Sequence, residues 1–179
     1  MKNLNMKNLD NKKLDTKKIT YLGVLLCLAV IINLIESLIP SIIVPGARLG
    51  FSNIIIMVIL YKYEFKDSVI VLILRILLVG IFRGTLLNYP FYMSLFGGLS
   101  SIIVMKTLKS LKIFTEIGVS VCGAVMHTIA QICVAIVMFE TKEIASFLPY
   151  LLIVSLVTGV IVGMVCKKIN TLSVFDDIK

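Results

Sequence analysis

Residues 44–84 read VPGARLGFSNIIIMVILYKYEFKDSVIVLILRILLVGIFRG, and the rest of the chain takes its meaning from them. Two apolar runs flank a charged turn, YKYEFKD, and Arg48, Asn53, Arg75 and Arg83 lie in or beside the runs. Apolar residues in unbroken runs, rather than in amphipathic stripes, are the pattern of segments surrounded by lipid. A charge held within such a segment costs at least a few kcal/mol, which makes it a functional-site candidate by default. The stretch therefore predicts an integral membrane protein with a polar pocket. Its arginines are expected to help hold whatever occupies that pocket.

Composition agrees. The 179-residue chain is 59% hydrophobic with a mean hydropathy of +1.03, against about 45–50% apolar residues in soluble domains. Its length suits one membrane domain. A net charge of +8 would fit nucleic acid, but the placement of the charges excludes it. Lys2, Lys7, Lys12, Lys13, Lys17 and Lys18 precede the first apolar run, and the others sit mainly in short connections. That arrangement orients a membrane protein and attracts anionic headgroups. Cys27, Cys122, Cys133 and Cys166 all lie in apolar runs without a CxxC pair, and His127 is the only histidine. Neither a thiolate metal site nor a disulfide framework is expected.

Three segments follow. Residues 1–18, with MKNL written twice, are a basic cytoplasmic tail expected to be mobile or to lie on the membrane surface. Residues 19–168 hold six expected transmembrane helices at about 19–39, 49–63, 67–82, 91–108, 115–139 and 147–166. Residues 169–179 form a cytoplasmic C-terminal tail. The first apolar run is too long for a secretory signal and lacks a small-x-small cleavage site, so it reads as a retained helix. The second is short for a bilayer that needs about 20 residues. With six spans and both termini inside, 14 of the 18 basic residues fall on the cytoplasmic side, and Arg48, Arg83 and Lys142 fall outside. This is the positive-inside bias.

The polar residues converge in depth. A rise of about 1.5 Å per residue puts Asn33 and Glu36 in the outer part of helix 1, Arg48 at the surface, and Asn53 about two turns below it. Arg83 falls at the outer end of helix 3, with Arg75 about 12 Å deeper. His127 lies near mid-depth on helix 5, with Gln131 one turn further out. The pairs Asn33/Glu36 and His127/Gln131 each share a helix face. The expected substrate-binding set is therefore Asn33, Glu36, Arg48, Asn53, Arg75, Arg83, His127 and Gln131. Arginine forks match carboxylates and phosphates, so the expected ligand carries an anionic group. Gly23 and Cys27 mark a different, small-residue face of helix 1.

Autonomous catalysis is not expected. An aspartate-rich magnesium cluster of the prenyltransferase kind is missing, since Asp176 and Asp177 in the tail are the only adjacent aspartates. Neither a phosphate loop nor a nucleophile with its base stands out.

The run PGARLGFSNIIIMVILYKYEFKDSVIVLILRILLVGIFRG, with SLFGGLSSIIVMKTLK and IGVSVCGAVMHTIAQICVAIV after it, resembles the Gx transporter family. Members of that family are often labelled heptaprenyl diphosphate synthase component I. The family in turn resembles the substrate-binding S components of energy-coupling factor vitamin transporters. The resemblance implies an S-component-like all-α bundle, an outward-facing pocket, and uptake of a small anionic, vitamin-like or isoprenoid-like molecule. It also implies partners: a transmembrane coupling protein and cytoplasmic ATPases that use ATP, this chain binding no cofactor itself. S components often dock through Ala-x3-Ala on helix 1. Here the matching stretch reads Gly23-x3-Cys27, with Ala29 just beyond, and these three are the expected docking residues. The alternative is a membrane subunit, component I, of heptaprenyl diphosphate synthesis or of a quinone or redox complex.

Overall fold

The computed structural model describes residues 2–38 and 50–171, with side chains described from residue 16 onward. Six helices follow one another: α1 Lys2–Glu36, α2 Asn53–Lys62, α3 Phe65–Phe82, α4 Tyr89–Leu111, α5 Glu116–Phe139 and α6 Leu148–Thr171. A 3-10 segment, Lys142–Phe147, leads into α6, and the described residues contain no strand. Among the described residues, four helical stretches are long and apolar enough to cross a membrane: Thr16–Glu36, Tyr89–Leu111, Glu116–Phe139 and Lys142–Thr171.

Helix α1 starts well before the expected residue 19, and residues 2–18 are its beginning. Residues 2–18 contain neither glycine nor proline, and a helix already nucleated by an apolar segment propagates at little further cost. The Lys18 ammonium lies 2.8 Å from the Asp67 carboxylate and joins this end of α1 to the start of α3.

The second helix also departs from expectation, since it begins at Asn53 rather than 49. Gly50, at a φ of 84°, makes a turn whose carbonyl accepts from Asn53 N–H at 2.9 Å. The ten residues left span about 15 Å, half a bilayer core. All of Ile55 to Leu60 are buried, as expected for a helix apolar on every side. It packs against α1, α3, α4 and α6, so it is the centre of the bundle. Its last turn is closed from outside, where Lys109 Nζ of α4 donates to Leu60 O at 2.6 Å. That satisfies a carbonyl that has no partner within the helix.

YKYEFKD forms a tight turn between α2 and α3. The Glu64 carboxylate accepts from the backbone at the third helical position, and Asp67 accepts from Glu64 N–H, a reciprocal capping box. Along α3, Ile70, Ile73, Leu74, Leu77 and Ile81 face outward while Val71, Leu72, Arg75, Ile76 and Val79 face inward. An outer surface this apolar suits lipid rather than water.

Glycines set how closely the helices approach. On α6, a Cβ at Gly159 would lie 2.9 Å from Val121 Cα, and one at Gly163 would lie 2.7 Å from Ile117 Cα. The Gly159-x3-Gly163 face is thus used within the chain, as a small-residue groove that seats α5. Ser120 Oγ donates to Gly159 O at 2.8 Å across the same contact.

Candidate binding site

The polar residues that interrupt the apolar helices come together at one level of the bundle. Asn33 and Glu36 reach in from the last turns of α1, Asn53 from the first turn of α2, Arg75 from mid-α3, and His127 and Gln131 from one face of α5. All six are buried, Arg75 and Gln131 to within 2% of completely.

Their hub is Ser52, which the sequence did not single out. Its Oγ accepts from Asn33 Nδ2 at 3.1 Å and from Arg75 Nη1 at 2.8 Å. Arg75 Nη1 also reaches Asn53 Oδ1 at 3.3 Å. One guanidinium nitrogen therefore ties α3 to the entry of α2, and Asn33 ties α1 to the same atom. Hydrogen bonds involving a charged partner are the stronger kind, and away from water each is harder to replace. Ser52 precedes α2 without capping it; its oxygen serves the cluster instead.

Glu36 holds the turn. One carboxylate oxygen accepts from Gly50 N–H at 2.5 Å. The other, Oε2, is buried and has no hydrogen-bond partner among the described residues. On α5, Gln131 Nε2 and His127 Nε2 are 3.0 Å apart. With the amide donating, His127 carries its proton on Nδ1. Gly97 of α4 makes room for this pair, since a Cβ there would lie 3.0 Å from His127 and 3.1 Å from Gln131. His127 also approaches the position a Gly50 Cβ would take, at 3.9 Å, so the two halves of the cluster adjoin.

Between them lies a small cavity lined by Gly50, Asn53, Ser101, Ser120, His127 and Thr158, among others, of ≈ 10 Å³. That is room for about one water.

One expected site residue does not join the cluster: Arg83 follows the last turn of α3 and is exposed. Arg48 lies outside the described residues. On α1, Gly23 and Cys27 are exposed on one face while Ala29, on another, is completely buried in the chain's own core. The apolar, outward-facing surface of α1 therefore carries Gly23 and Cys27 but not Ala29. Ser52, Ser101, Ser120 and Thr158 escaped sequence reading because a serine or threonine in an apolar helix signals close packing as readily as a site. The one available clue was the adjacency of Ser52 to Asn53 at the start of an apolar run.

The fold and its centre define a helical protein of membrane type, with hydrogen-bonding side chains from four helices gathered inside an apolar shell. The chain belongs to the heptaprenyl diphosphate synthase component I family, whose profile matches residues 25–169. No curated protein and no solved structure matches it.

Proposed function

We propose that this chain is the membrane-embedded substrate-binding component of an energy-coupling-factor-like uptake system. It resides in the cell membrane as six spans with both termini inside, and works with a transmembrane coupling protein and cytoplasmic ATPases. The observation that carries the reading is the buried network from Asn33 through Ser52 to Arg75 and Asn53, with Glu36, His127 and Gln131 beside it. An ionisable network inside membrane helices is costly, and a substrate path is among its usual functions. The small polar cavity beside this network, lined in part by Asn53 and His127, belongs to the substrate's site. The face of α1 bearing Gly23 and Cys27 is the docking surface for the coupling protein.

A second reading is favoured by the family description itself, component I of heptaprenyl diphosphate synthesis. In that case the chain supports elongation of an isoprenoid diphosphate by an aspartate-rich partner and has no catalytic centre of its own. One experiment separates the two: purification in mild detergent, followed by mass spectrometry of what accompanies the chain. A bound small molecule together with ATPase subunits supports uptake. A prenyl diphosphate synthase, with neither of those, would overturn it in favour of the second reading.

A further inference from the structure

We propose that the corner of the bundle where α3 begins beside α4 binds one anionic phospholipid. Its phosphate is held by Lys66 and Lys106, and its acyl chains lie along the apolar outer faces of the two helices. This surface is outside the polar centre, and the inference does not rest on the uptake reading.

Helices α3 and α4 run antiparallel and touch along their whole length. A Cβ at Gly80 would lie 3.4 Å from Phe91 Cδ2, and one at Gly98 would lie 2.8 Å from Leu72 Cδ1. At the far end Lys106 Nζ stands 4.0 Å from the centre of the Phe65 ring. Lys106 is thus set opposite the first residue of α3, whose chain neighbour is Lys66. The ring attracts and positions the ammonium, where an exposed lysine at a helix end otherwise swings out to water. The 18 residues of α3 rise about 27 Å, close to the thickness of a hydrocarbon core, so both lysines lie at headgroup depth.

The positive charge of this corner is not neutralised from within. Neither Lys66 nor Lys106 makes an ion pair among the described residues. The two acids of the same turn are committed, since Glu64 accepts from the backbone of α3 and Asp67 holds Lys18 at 2.8 Å. Toward the middle of the helices the outer surface turns apolar, with Ile70, Ile73 and Ile103 exposed by 55%, 38% and 56%. Two cations above an apolar strip match a phosphate that carries acyl chains, which is the chemistry of basic headgroup sites at helix ends.

Phosphatidylglycerol and phosphatidylcholine with the same acyl chains, and inorganic phosphate, would be titrated into the full chain in mild detergent while thermal unfolding is followed. Phosphatidylglycerol is expected to raise the midpoint saturably above phosphatidylcholine, and phosphate to have no effect beyond ionic strength. Lys66→Gln with Lys106→Gln should weaken the apparent affinity for phosphatidylglycerol about 30-fold. Lys167→Gln with Lys168→Gln removes the same charge from α6 and should leave that affinity unchanged. All four lysines are exposed, so both double variants should keep the wild-type midpoint in phosphatidylcholine. An equal loss in the two double variants, or no loss in either, would overturn the inference in favour of diffuse attraction. Equal stabilisation by the two lipids would also overturn it, as would stabilisation by phosphate that matches phosphatidylglycerol, which would mark a free-anion site.

Discussion

Arg75 and Ser52 show how few atoms hold the entry of α2 in place. Replacing Arg75 with Gln withdraws the donor from two buried acceptors, Ser52 Oγ and Asn53 Oδ1. A bond to a charged group contributes about 1.5–3 kcal/mol, and stranding its partner adds to that. Arg75→Gln is therefore expected to destabilise the chain by about 3 kcal/mol, read as a lower midpoint in detergent. Ser52→Ala removes the hub from both Asn33 and Arg75 and should cost about 1–3 kcal/mol. Because the two changes share one network, the double variant should lose clearly less than their sum. Full additivity would mean that Ser52 and Arg75 act separately. Arg75 was legible in the sequence, since a guanidinium within the apolar run VIVLILRILLVG must find partners inside the protein. Ser52 was not, because its importance comes from Asn33 and Arg75, 19 and 23 positions away.

Among the elements, α5 and α6 owe their closeness to missing side chains. At Gly163 the obstacle to a Cβ is Ile117 Cα, a backbone atom that cannot swing aside. Gly163→Ala should therefore overpack the contact and cost about 1–3 kcal/mol. Gly23 meets nothing within 4 Å, so Gly23→Ala should not lower the unfolding midpoint of the isolated chain, and alanine's better helix propensity should raise it slightly. Equal effects of the two substitutions would refute the assignment of one glycine to an internal contact and the other to the outer surface. The sequence displayed both small-residue motifs but could not say which one the chain uses for itself. Element boundaries show a similar division. The apolar runs located all six helices, whereas the late start of α2 depends on the Gly50 turn that Glu36 holds.

The whole molecule poses the question of orientation. The orientation proposed from the distribution of basic residues has the Tyr63–Glu64 turn inside and the loop after Gly84 outside. A membrane-impermeant maleimide applied to intact cells should label Thr85→Cys and spare Glu64→Cys, with both labelled after the membrane is opened. The reverse pattern would invert the bundle. If α1 is the docking face, Gly23→Leu should leave the isolated chain stable and ligand-competent yet reduce recovery of ATPase subunits with it. Unchanged recovery would place docking on another helix.

Composition and the length of the apolar runs determined by themselves that the chain is helical and built for lipid, because a backbone in hydrocarbon must satisfy its own hydrogen bonds. The same runs made Asn33, Glu36, Asn53, Arg75, His127 and Gln131 conspicuous, since a polar side chain there needs a reason. Tertiary structure alone decided that these six meet at one level, that Arg83 does not join them, and that Ser52 links three helices. It also decided that Arg75 Nη1 turns to Ser52 Oγ and Asn53 Oδ1 of the protein itself. Such facts follow from which helix faces which across the bundle, and a pattern read along one chain carries depth and face but not partner.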